Sequence, residues 1–459
     1  MRQYLSFSVY LKNRLSLFSS IIISLLMKSL SKYFGVKKHM TFLDFAKTPP
    51  MGWNSWDCYG ASVREEEVKE HALFMSKHLK PFGWEYIVVD IQWAEPEAKS
   101  TKYNQFFPLN MDEYSRLIPA ENRFPSSKQG QGFKALGEYI HQLGLKFGIH
   151  IMRGIPRQAV HQNTAIKGTD KRARDIAMNN ICPWNSDMYG VNVDLPEGQL
   201  YYDSLMDLYA SWGVDFIKVD DIAYSRLYDD AHKKEITAIR KAIDKTKRPI
   251  VLSLSPGPAQ VKNGTFLQDH ANMWRLTDDF WDHWGALYRM FERAAEWVSY
   301  VRKGNWPDCD MLPLGHIGIR AVDGGGGDNW TRFTKDEQYL LMSLWTIFQS
   351  PLMYGGTLPD IDGFTLSLFT NEEVLNMYHT LNYRRQIYRD DNWVVWEGRS
   401  DNEEYVAFFN IGEANLDIPR DLSDRFIGES KVVRDLWGKK DIRLKEQIVN
   451  AHGVILIRK

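Results

Sequence analysis

Short apolar runs alternate with amphipathic stretches from residue 50 onward, and this alternation constrains the fold more than any other feature of the chain. Ile236, Ile239 and Ile243 lie three and four residues apart, a spacing that indicates a helix between two of the runs. Eight strands that alternate with helices predict an α/β fold whose parallel sheet closes into a (β/α)8 TIM barrel. The runs that we interpret as strands are residues 51–56, 86–93, 147–152, 214–222, 249–257, 273–280, 310–315 and 350–356.

A different pattern begins after about residue 380. Short β runs such as NWVVWEG, EEYVAFFNIG and HGVILIRK are separated by polar turns, and helix signals are scarce. Such runs predict a C-terminal antiparallel β-sandwich. We therefore expect an N-terminal extension over residues 1–40, a barrel over residues 41–384 and a β-sandwich domain over residues 385–459.

The N-terminal extension lacks the patterning of the rest of the chain. Residues 15–27 form an apolar run that is too short for a membrane span but has the length of a signal-peptide core. No small-residue cleavage site follows, since Lys28 comes next. Two alternatives stay open: translation starts at Met40 and the protein is cytoplasmic, or the segment directs export.

Composition excludes several classes of partner. The formal net charge is -1 and the chain has no long basic run, so we expect no nucleic-acid partner. Stable membrane insertion is not expected either, whereas oligomerisation stays open. The three cysteines, Cys58, Cys182 and Cys309, are widely spaced and fit neither a disulfide framework nor a zinc site. We predict no metal and no other cofactor.

Charged residues occupy the end of the fourth predicted strand. Lys218 and Asp220 share one face of that strand because side chains alternate between faces. A barrel interior is usually filled by branched apolar residues, so buried charges there need a partner or a ligand. Active sites of TIM barrels lie at the carboxyl ends of the strands, which favours a functional role. A structural Lys–Asp ion pair is the alternative.

The sixth predicted strand has the same arrangement. Alternation would place Arg275 and Asp279 on one face, where they form either a structural clamp or part of a site. Two carboxylates that face one cavity suit glycoside hydrolysis, and a separation of ~5 Å would make the mechanism retaining. Asp220 would then be the nucleophile and Asp279 the acid/base, and Lys218 would keep the nucleophile ionised.

Several motifs stand in order along the chain, among them TPPMGWNSWDCYG at 48–60, GWEYIVVDIQW at 83–93, FIKVDD at 216–221, WRLTDD at 274–279 and SLWTIFQSPLMYGG at 343–356. Taken together, they resemble glycoside hydrolase family 27, which contains α-galactosidases and α-N-acetylgalactosaminidases. The similarity extends from about residue 48 to the C-terminus. It implies a barrel followed by a β-sandwich, and retaining exo-hydrolysis of terminal α-D-galactose-like residues from a glycoside or oligosaccharide without a cofactor.

The resemblance also implies residue roles. By position, Asp220 matches the family's nucleophile and Asp279 its acid/base. The resemblance implies substrate binding for Trp56, Asp90, His150, Lys218, Ser255 and Arg275.

Three of the positions that depart from the family pattern lie where the resemblance implies contact with the sugar. Ile91 replaces the second of two adjacent acids that bind O4 and O6 of the sugar, which favours a sugar without the hydroxymethyl group, such as β-L-arabinopyranose. Ser255 replaces a Glu of the α-galactosidases, and the α-N-acetylgalactosaminidase branch also has Ser there. His150 stands where Tyr is common. Galactosidase, N-acetylgalactosaminidase and arabinopyranosidase specificities therefore all stay open.

Two further functional classes compete with glycoside hydrolysis. An aldolase-type barrel would use Lys218 as a Schiff base, which requires a neutral amine. The neighbouring Asp220 argues against it, because a carboxylate keeps the lysine protonated. A sugar-binding barrel without catalysis would lack one catalytic carboxylate, and both Asp220 and Asp279 are present.

Overall fold

The computed structural model describes residues 40–321, 327–427 and 432–459. The N-terminal extension expected over residues 1–40 therefore lies outside the described residues, apart from Met40. Phe42–Lys459 form one unit. None of the helices in the described ranges has the length and apolarity that crossing a bilayer requires.

Eight parallel strands form the central sheet: β1 (Met51–Asn54), β2 (Tyr86–Val89), β3 (Lys146–Met152), β4 (Phe216–Asp220), β5 (Val251–Leu254), β6 (Met273–Arg275), β7 (Trp306–Asp308) and β8 (Leu352–Tyr354). Their order in the sheet is β7-β6-β5-β4-β3-β2-β1-β8. Leu312, beyond β7, forms a parallel bridge with Tyr354 of β8, which connects the two edges. The predicted (β/α)8 barrel is confirmed.

The seventh strand does not lie where the sequence predicted it. β7 spans Trp306–Asp308 instead of residues 310–315. Asp310 has φ +82°, a left-handed conformation that interrupts an extended run. Met311, Leu312 and Leu314 suggested a strand because they are apolar, but they are buried in the connection that follows β7.

Helices pack around the sheet through their apolar faces. The helix Lys233–Thr246 buries Ile236, Ile239 and Ile243, as their spacing predicts. Thr334 caps the helix Lys335–Phe348, since its hydroxyl accepts the N–H of Glu337 while the Glu337 carboxylate accepts the N–H of Thr334. The main helices are α1 (Glu65–His78), α2 (Lys134–Gln142), α3 (Pro196–Ser211), α4 (Lys233–Thr246), α5 (Gly264–His270), α6 (Trp284–Trp297), α7 (Lys335–Phe348), α8 (Gly363–Phe369) and α9 (Glu372–Thr380). Further helices are Trp56–Tyr59, Arg157–Gln162, Ala173–Ile176 and Arg420–Ile427.

A long connection joins β3 to α3. It contains a small antiparallel sheet in which Met188–Val191 lies between Ile155–Pro156 and Ala177–Ile181. Between its strands the chain carries Pro183 and Trp184 to the cavity at the carboxyl ends of the barrel strands. A two-stranded pair, His316–Ile317 with Asn329–Trp330, lies in the connection between β7 and β8.

The C-terminal region forms an antiparallel sheet of six strands: β9 (Tyr383–Arg389), β10 (Trp393–Arg399), β11 (Glu404–Asn410), β12 (Val433–Asp435), β13 (Lys440–Ile442) and β14 (Val454–Arg458). Their order in the sheet is β9-β10-β11-β14-β12-β13. A smaller pair, Leu416–Asp417 with Ile448–Val449, accompanies it. The predicted C-terminal β-sandwich is confirmed, whereas a boundary at residue 385 stays a prediction.

Alternation along β10 divides its apolar side chains between two cores. Val394 and Trp396 belong to the large core shared with the barrel, while Trp393 and Val395 belong to a smaller core of the C-terminal sheet. The C-terminal sheet thus packs against the barrel through one of its two faces.

Candidate active site

A cavity of about 690 Å³ opens at the carboxyl ends of the barrel strands. It is the place where a TIM barrel carries its chemistry. Five of the eight predicted catalytic and binding residues line it together: Trp56, Asp90, Lys218, Asp220 and Asp279. The fold therefore brings residues from four different strand ends into one space.

Asp220 is the last residue of β4, and its carboxylate is held on both oxygens. His150 Nε2 donates to Oδ2 at 3.1 Å, and the N–H of Asp221 donates to Oδ1 at 2.9 Å. Burial opposes ionisation, but the hydrogen bond from His150 and the charge of Lys218 outweigh it and lower the pKa of Asp220. The carboxylate is therefore charged, as a nucleophile requires.

His150 reaches Asp220 because of the sheet register. β3 and β4 pair so that Met152 lies opposite Asp220 and His150 opposite Lys218. The His150 side chain is buried, and its contact is with the nucleophile candidate. Its expected role in contacting the sugar stays a prediction.

Lys218, which is only partly exposed to the cavity, forms an ion pair with the buried Asp90. Lys218 Nζ lies 2.9 Å from Asp90 Oδ2, which also accepts from Asn54 Nδ2 at 2.8 Å. Burial alone would favour the neutral amine, but the carboxylates of Asp90 and Asp220 raise the pKa of Lys218. Burial likewise opposes ionisation of Asp90, and Lys218 lowers the pKa of that carboxyl. An ammonium group cannot attack a carbonyl, so this environment does not suit a Schiff-base lysine.

Asp279 stands in a less enclosed position. β6 ends at Arg275, so Asp279 lies in the loop beyond it rather than on a strand face, and the alternation argument was wrong for this residue. The two side chains nevertheless meet, with Arg275 Nη2 at 3.1 Å from Asp279 Oδ1. The Asp279 side chain is 51% exposed, whereas Arg275 is buried.

Asp310 completes this arrangement, although sequence reasoning gave it no role. Its Oδ2 lies 2.6 Å from Arg275 Nη2 and accepts the N–H of Phe280 at 2.7 Å. Asp310 thus holds both the arginine that contacts Asp279 and the backbone that follows Asp279. Burial raises the pKa of Asp310 above its usual range, although the charge of Arg275 opposes this. Sequence spacing gives no sign of this contact, which depends on the left-handed turn at Asp310.

The two other predicted binding residues differ in their access to the cavity. Trp56 lines it and stacks on Tyr103, another aromatic of the lining, with ring centroids 6.2 Å apart. Ser255 is buried, and its Oγ has no hydrogen-bond partner within the described part of the chain. The wall beside it is formed by Pro256 and Gly257.

Ile91 forms an apolar part of the cavity wall next to Asp90. Its side chain is buried, and its N–H donates to Asp90 Oδ1 at 2.8 Å. The backbone of Ile91 therefore helps to orient Asp90, while its side chain offers no polar group to a ligand.

Among the described residues, neither a disulfide nor a metal-binding cluster accompanies this cavity. Cys58, Cys182 and Cys309 are buried and form no disulfide among the described residues. Within residues 40–321, 327–427 and 432–459, no three His, Cys, Asp or Glu side chains form a group suited to a metal ion.

Comparisons with known proteins agree with this geometry. The family model for alpha galactosidase A matches residues 186–380, and that for the alpha galactosidase C-terminal beta sandwich domain matches residues 390–458. A GH27 β-L-arabinopyranosidase of Geobacillus stearothermophilus is 60% identical, with a TM-score of 0.89 over 92% of this chain and 98% of that chain. The chain belongs to glycoside hydrolase family 27. The resemblance found in the sequence is thereby confirmed, and this family 27 protein is a glycoside hydrolase.

Other family 27 relatives have different names. A Bacillus halodurans protein, provisionally assigned as an α-N-acetylgalactosaminidase, is 53% identical with a TM-score of 0.79, over 90% of this chain and 97% of that one. The α-galactosidase of Coffea arabica is 28% identical over 88% of this chain and 92% of its own length. Membership of the family therefore leaves the sugar to be decided by the cavity.

Proposed function

We propose that this family 27 protein is a retaining exo-glycosidase that releases terminal β-L-arabinopyranose. The observation that carries the sugar assignment is the apolar wall that Ile91 forms beside Asp90. The α-D-galactose-like substrate expected from the family motifs serves as the comparison, because the two sugars share the arrangement of their ring hydroxyls and differ in the hydroxymethyl group.

Asp220 and Asp279 carry the chemistry in this proposal. Asp220 attacks the anomeric carbon and forms a glycosyl ester, while Asp279 transfers its proton to the departing glycosidic oxygen. Asp279, now ionised, takes a proton from water, and the resulting hydroxide attacks the anomeric carbon and frees Asp220. Two inversions at one carbon leave its configuration unchanged.

The surroundings of each carboxyl support these roles. His150 and Lys218 keep Asp220 charged, and the sheet holds it still. Asp279 is accessible from the cavity, as it must be to meet the leaving group and then water. Arg275 orients Asp279 through a guanidinium that Asp310 also holds.

The sugar assignment follows from the desolvation of one hydroxyl. A galactose-type ring held by Asp90 would direct its hydroxymethyl group toward Ile91, which has no polar side-chain atom. A buried hydroxyl without a partner costs roughly 1–3 kcal/mol, or about ten- to a hundredfold in kcat/KM. An arabinopyranose ring lacks that hydroxyl and avoids the cost.

The relatives support the same choice. The Geobacillus stearothermophilus relative, at about 60% identity, is a β-L-arabinopyranosidase, and a single-residue variant of it has been solved with arabinose. One observation favours a second candidate, an α-N-acetylgalactosaminidase: the buried Ser255 Oγ, unpartnered within the described residues, would bind a 2-acetamido group if the adjoining Pro256–Gly257 wall moved to admit it. The Bacillus halodurans relative is consistent with that alternative.

The test is a comparison of three p-nitrophenyl glycosides: β-L-arabinopyranoside, α-D-galactopyranoside and α-N-acetylgalactosaminide. We expect kcat/KM to be highest for the arabinopyranoside by at least about tenfold, with turnover lost in Asp220→Asn. Ile91→Asp should shift the preference toward the galactopyranoside. A preference for the galactosaminide would replace the arabinose assignment by the Ser255 alternative, and undiminished turnover in Asp220→Asn would refute the mechanism.

Retention is tested separately by NMR of the first-formed sugar. A product that initially has the anomeric configuration of the substrate supports double displacement. An inverted first product would contradict the proposed role of Asp220 as a covalent nucleophile.

A further inference from the structure

An exposed ion pair joins two loops at the rim of the catalytic cavity. Arg226, in the loop after β4, has its Nη2 2.5 Å from Oδ2 of Asp278, in the loop after β6. The two side chains are 75% and 53% exposed. Both residues line the same cavity as Asp279. The pair therefore spans part of the opening through which a substrate enters.

The loop that carries Arg226 is anchored at its base. Ser225 and Asp230 form an antiparallel bridge, and the Asp230 carboxylate accepts from Asn263 Nδ2 at 2.7 Å. Leu227, at the tip beside Arg226, is exposed and also lines the cavity. A fixed turn thus presents one cationic and one apolar side chain to the cavity mouth.

The pair lies directly beside the proposed acid/base. Asp278 Oδ1 accepts the N–H of Asp279 at 3.1 Å. The glycosidic oxygen must come within about 3 Å of the Asp279 carboxyl to receive its proton. Whatever group is attached to that oxygen therefore leaves the cavity past Asp278 and its partner Arg226.

The chemistry of this rim suits a sugar as the leaving group. The arginine donates and the aspartate accepts, which matches adjacent hydroxyls, and Leu227 offers a surface for the C–H face of a ring. An exposed ion pair contributes little to folding, so the fold does not depend on this one.

We propose that Arg226 and Asp278 form a leaving-group subsite that binds the hydroxyls of a second sugar. The preferred substrate is then the end of a disaccharide or oligosaccharide rather than a simple alkyl glycoside. The inference rests on the proposed function, because it takes Asp279 as the residue that protonates the leaving oxygen.

Binding to the full-length Asp220→Asn protein tests the subsite without turnover. Calorimetry compares β-L-arabinopyranosyl-L-arabinose with methyl β-L-arabinopyranoside, and melibiose with methyl α-D-galactopyranoside. We expect the disaccharide of the preferred sugar to bind about tenfold more tightly than its methyl glycoside, the equivalent of one hydrogen bond to a charged group. Arg226→Met and Asp278→Asn, each added to Asp220→Asn, should reduce that ratio to about one.

Arg420→Met is the matched control, because Arg420 is an exposed arginine of the C-terminal region that pairs with Asp424. It should leave the ratio unchanged. Three results would each overturn the subsite. They are a ratio near one in the Asp220→Asn protein, a ratio that neither rim substitution changes, and the absence of any sugar binding. An equal loss of affinity for both ligands would also overturn it, since it would indicate a purely structural pair. Failure of the hydrolysis assays would refute the proposed function but leaves this ratio measurable.

Discussion

The ends of β4 and β6 surround their carboxylates in contrasting ways. Asp220 is the last residue of its strand, is enclosed by His150 and lies near the Lys218–Asp90 pair. Asp279 lies beyond its strand, is half exposed and is held by a single arginine contact. The first arrangement suits a group that must remain charged and still. The second suits a group that must exchange protons with a leaving group and then with water.

The largest expected effect comes from removing the charge at the β4 end. Asp220→Asn should lower kcat by at least about a thousandfold, whatever the leaving group, because both chemical steps need this carboxylate. Steady-state kinetics with an aryl glycoside and a disaccharide measure it. A loss confined to one of the two substrates would contradict the contrast between the strand ends.

The β6 end should give an effect that depends on the leaving group. Asp279→Asn should lower kcat/KM for the disaccharide by about 10²–10⁴-fold, since a sugar alkoxide leaves only when protonated. The p-nitrophenyl glycoside should lose less, because its phenolate is a good leaving group without a proton. Equal losses for the two substrates would assign Asp279 some other role.

Asp310 should affect the β6 end more weakly than Asp279 itself. Asp310→Asn keeps an oxygen for the Phe280 N–H but removes the charge that holds Arg275, so we expect kcat to fall about ten- to a hundredfold with little change in KM. Single-turnover kinetics distinguish this fall in the rate of the chemical step from a loss of substrate binding. An increase in KM alone would show that Asp310 shapes the cavity without positioning Asp279.

The environment of the β4 end predicts a change in pH dependence. The folded protein lowers the pKa of Asp220, so the nucleophile is ionised down to acidic pH and activity is lost only as the pH falls through that lowered value. His150→Phe removes the hydrogen bond and should move the acidic limb of kcat/KM to higher pH. His150→Gln, which keeps an N–H donor, should move it less, and an unmoved limb in both variants would exclude His150 as the cause.

The smallest effect concerns the rim between the two strand ends. Arg226→Met should change the free energy of unfolding by less than about 1 kcal/mol, because exposed ion pairs are screened by solvent. Denaturant unfolding measures it. A larger loss would mean that the loops after β4 and β6 depend on each other for stability.

The two strand ends also differ in how far the sequence could predict them. At β4 the strand continues through Asp220, so side-chain alternation correctly placed Lys218 and Asp220 on one face. At β6 the strand stops at Arg275. Asp279 was selected by assuming that side-chain alternation continues to it, but it lies in the loop that follows the strand. The alternation of side chains predicts which face of a strand a residue occupies only while the backbone stays extended.

Contacts made by loops could not be predicted from the sequence for the same reason. Asp310 reaches Arg275 through a left-handed turn, and Arg226 meets Asp278 from a separate loop. Neither contact leaves a periodic signal in the sequence. The barrel, the β-sandwich and the family were predictable because many residues repeat one pattern, whereas each of these contacts depends on single residues brought together by folding.

The division of β10 between two cores has a consequence for the evolution and engineering of the chain. Phe291 of α6 and Phe348 of α7 pack against Phe409 and Trp396 of the C-terminal sheet, with ring centroids 5.0 Å and 6.1 Å apart. A gene shortened before β9 would encode a barrel whose outer wall displays these rings to solvent, a surface prone to aggregation. The C-terminal sheet therefore cannot be exchanged or removed like a detachable module, and any successful graft must bring its own aromatic counterparts for α6 and α7.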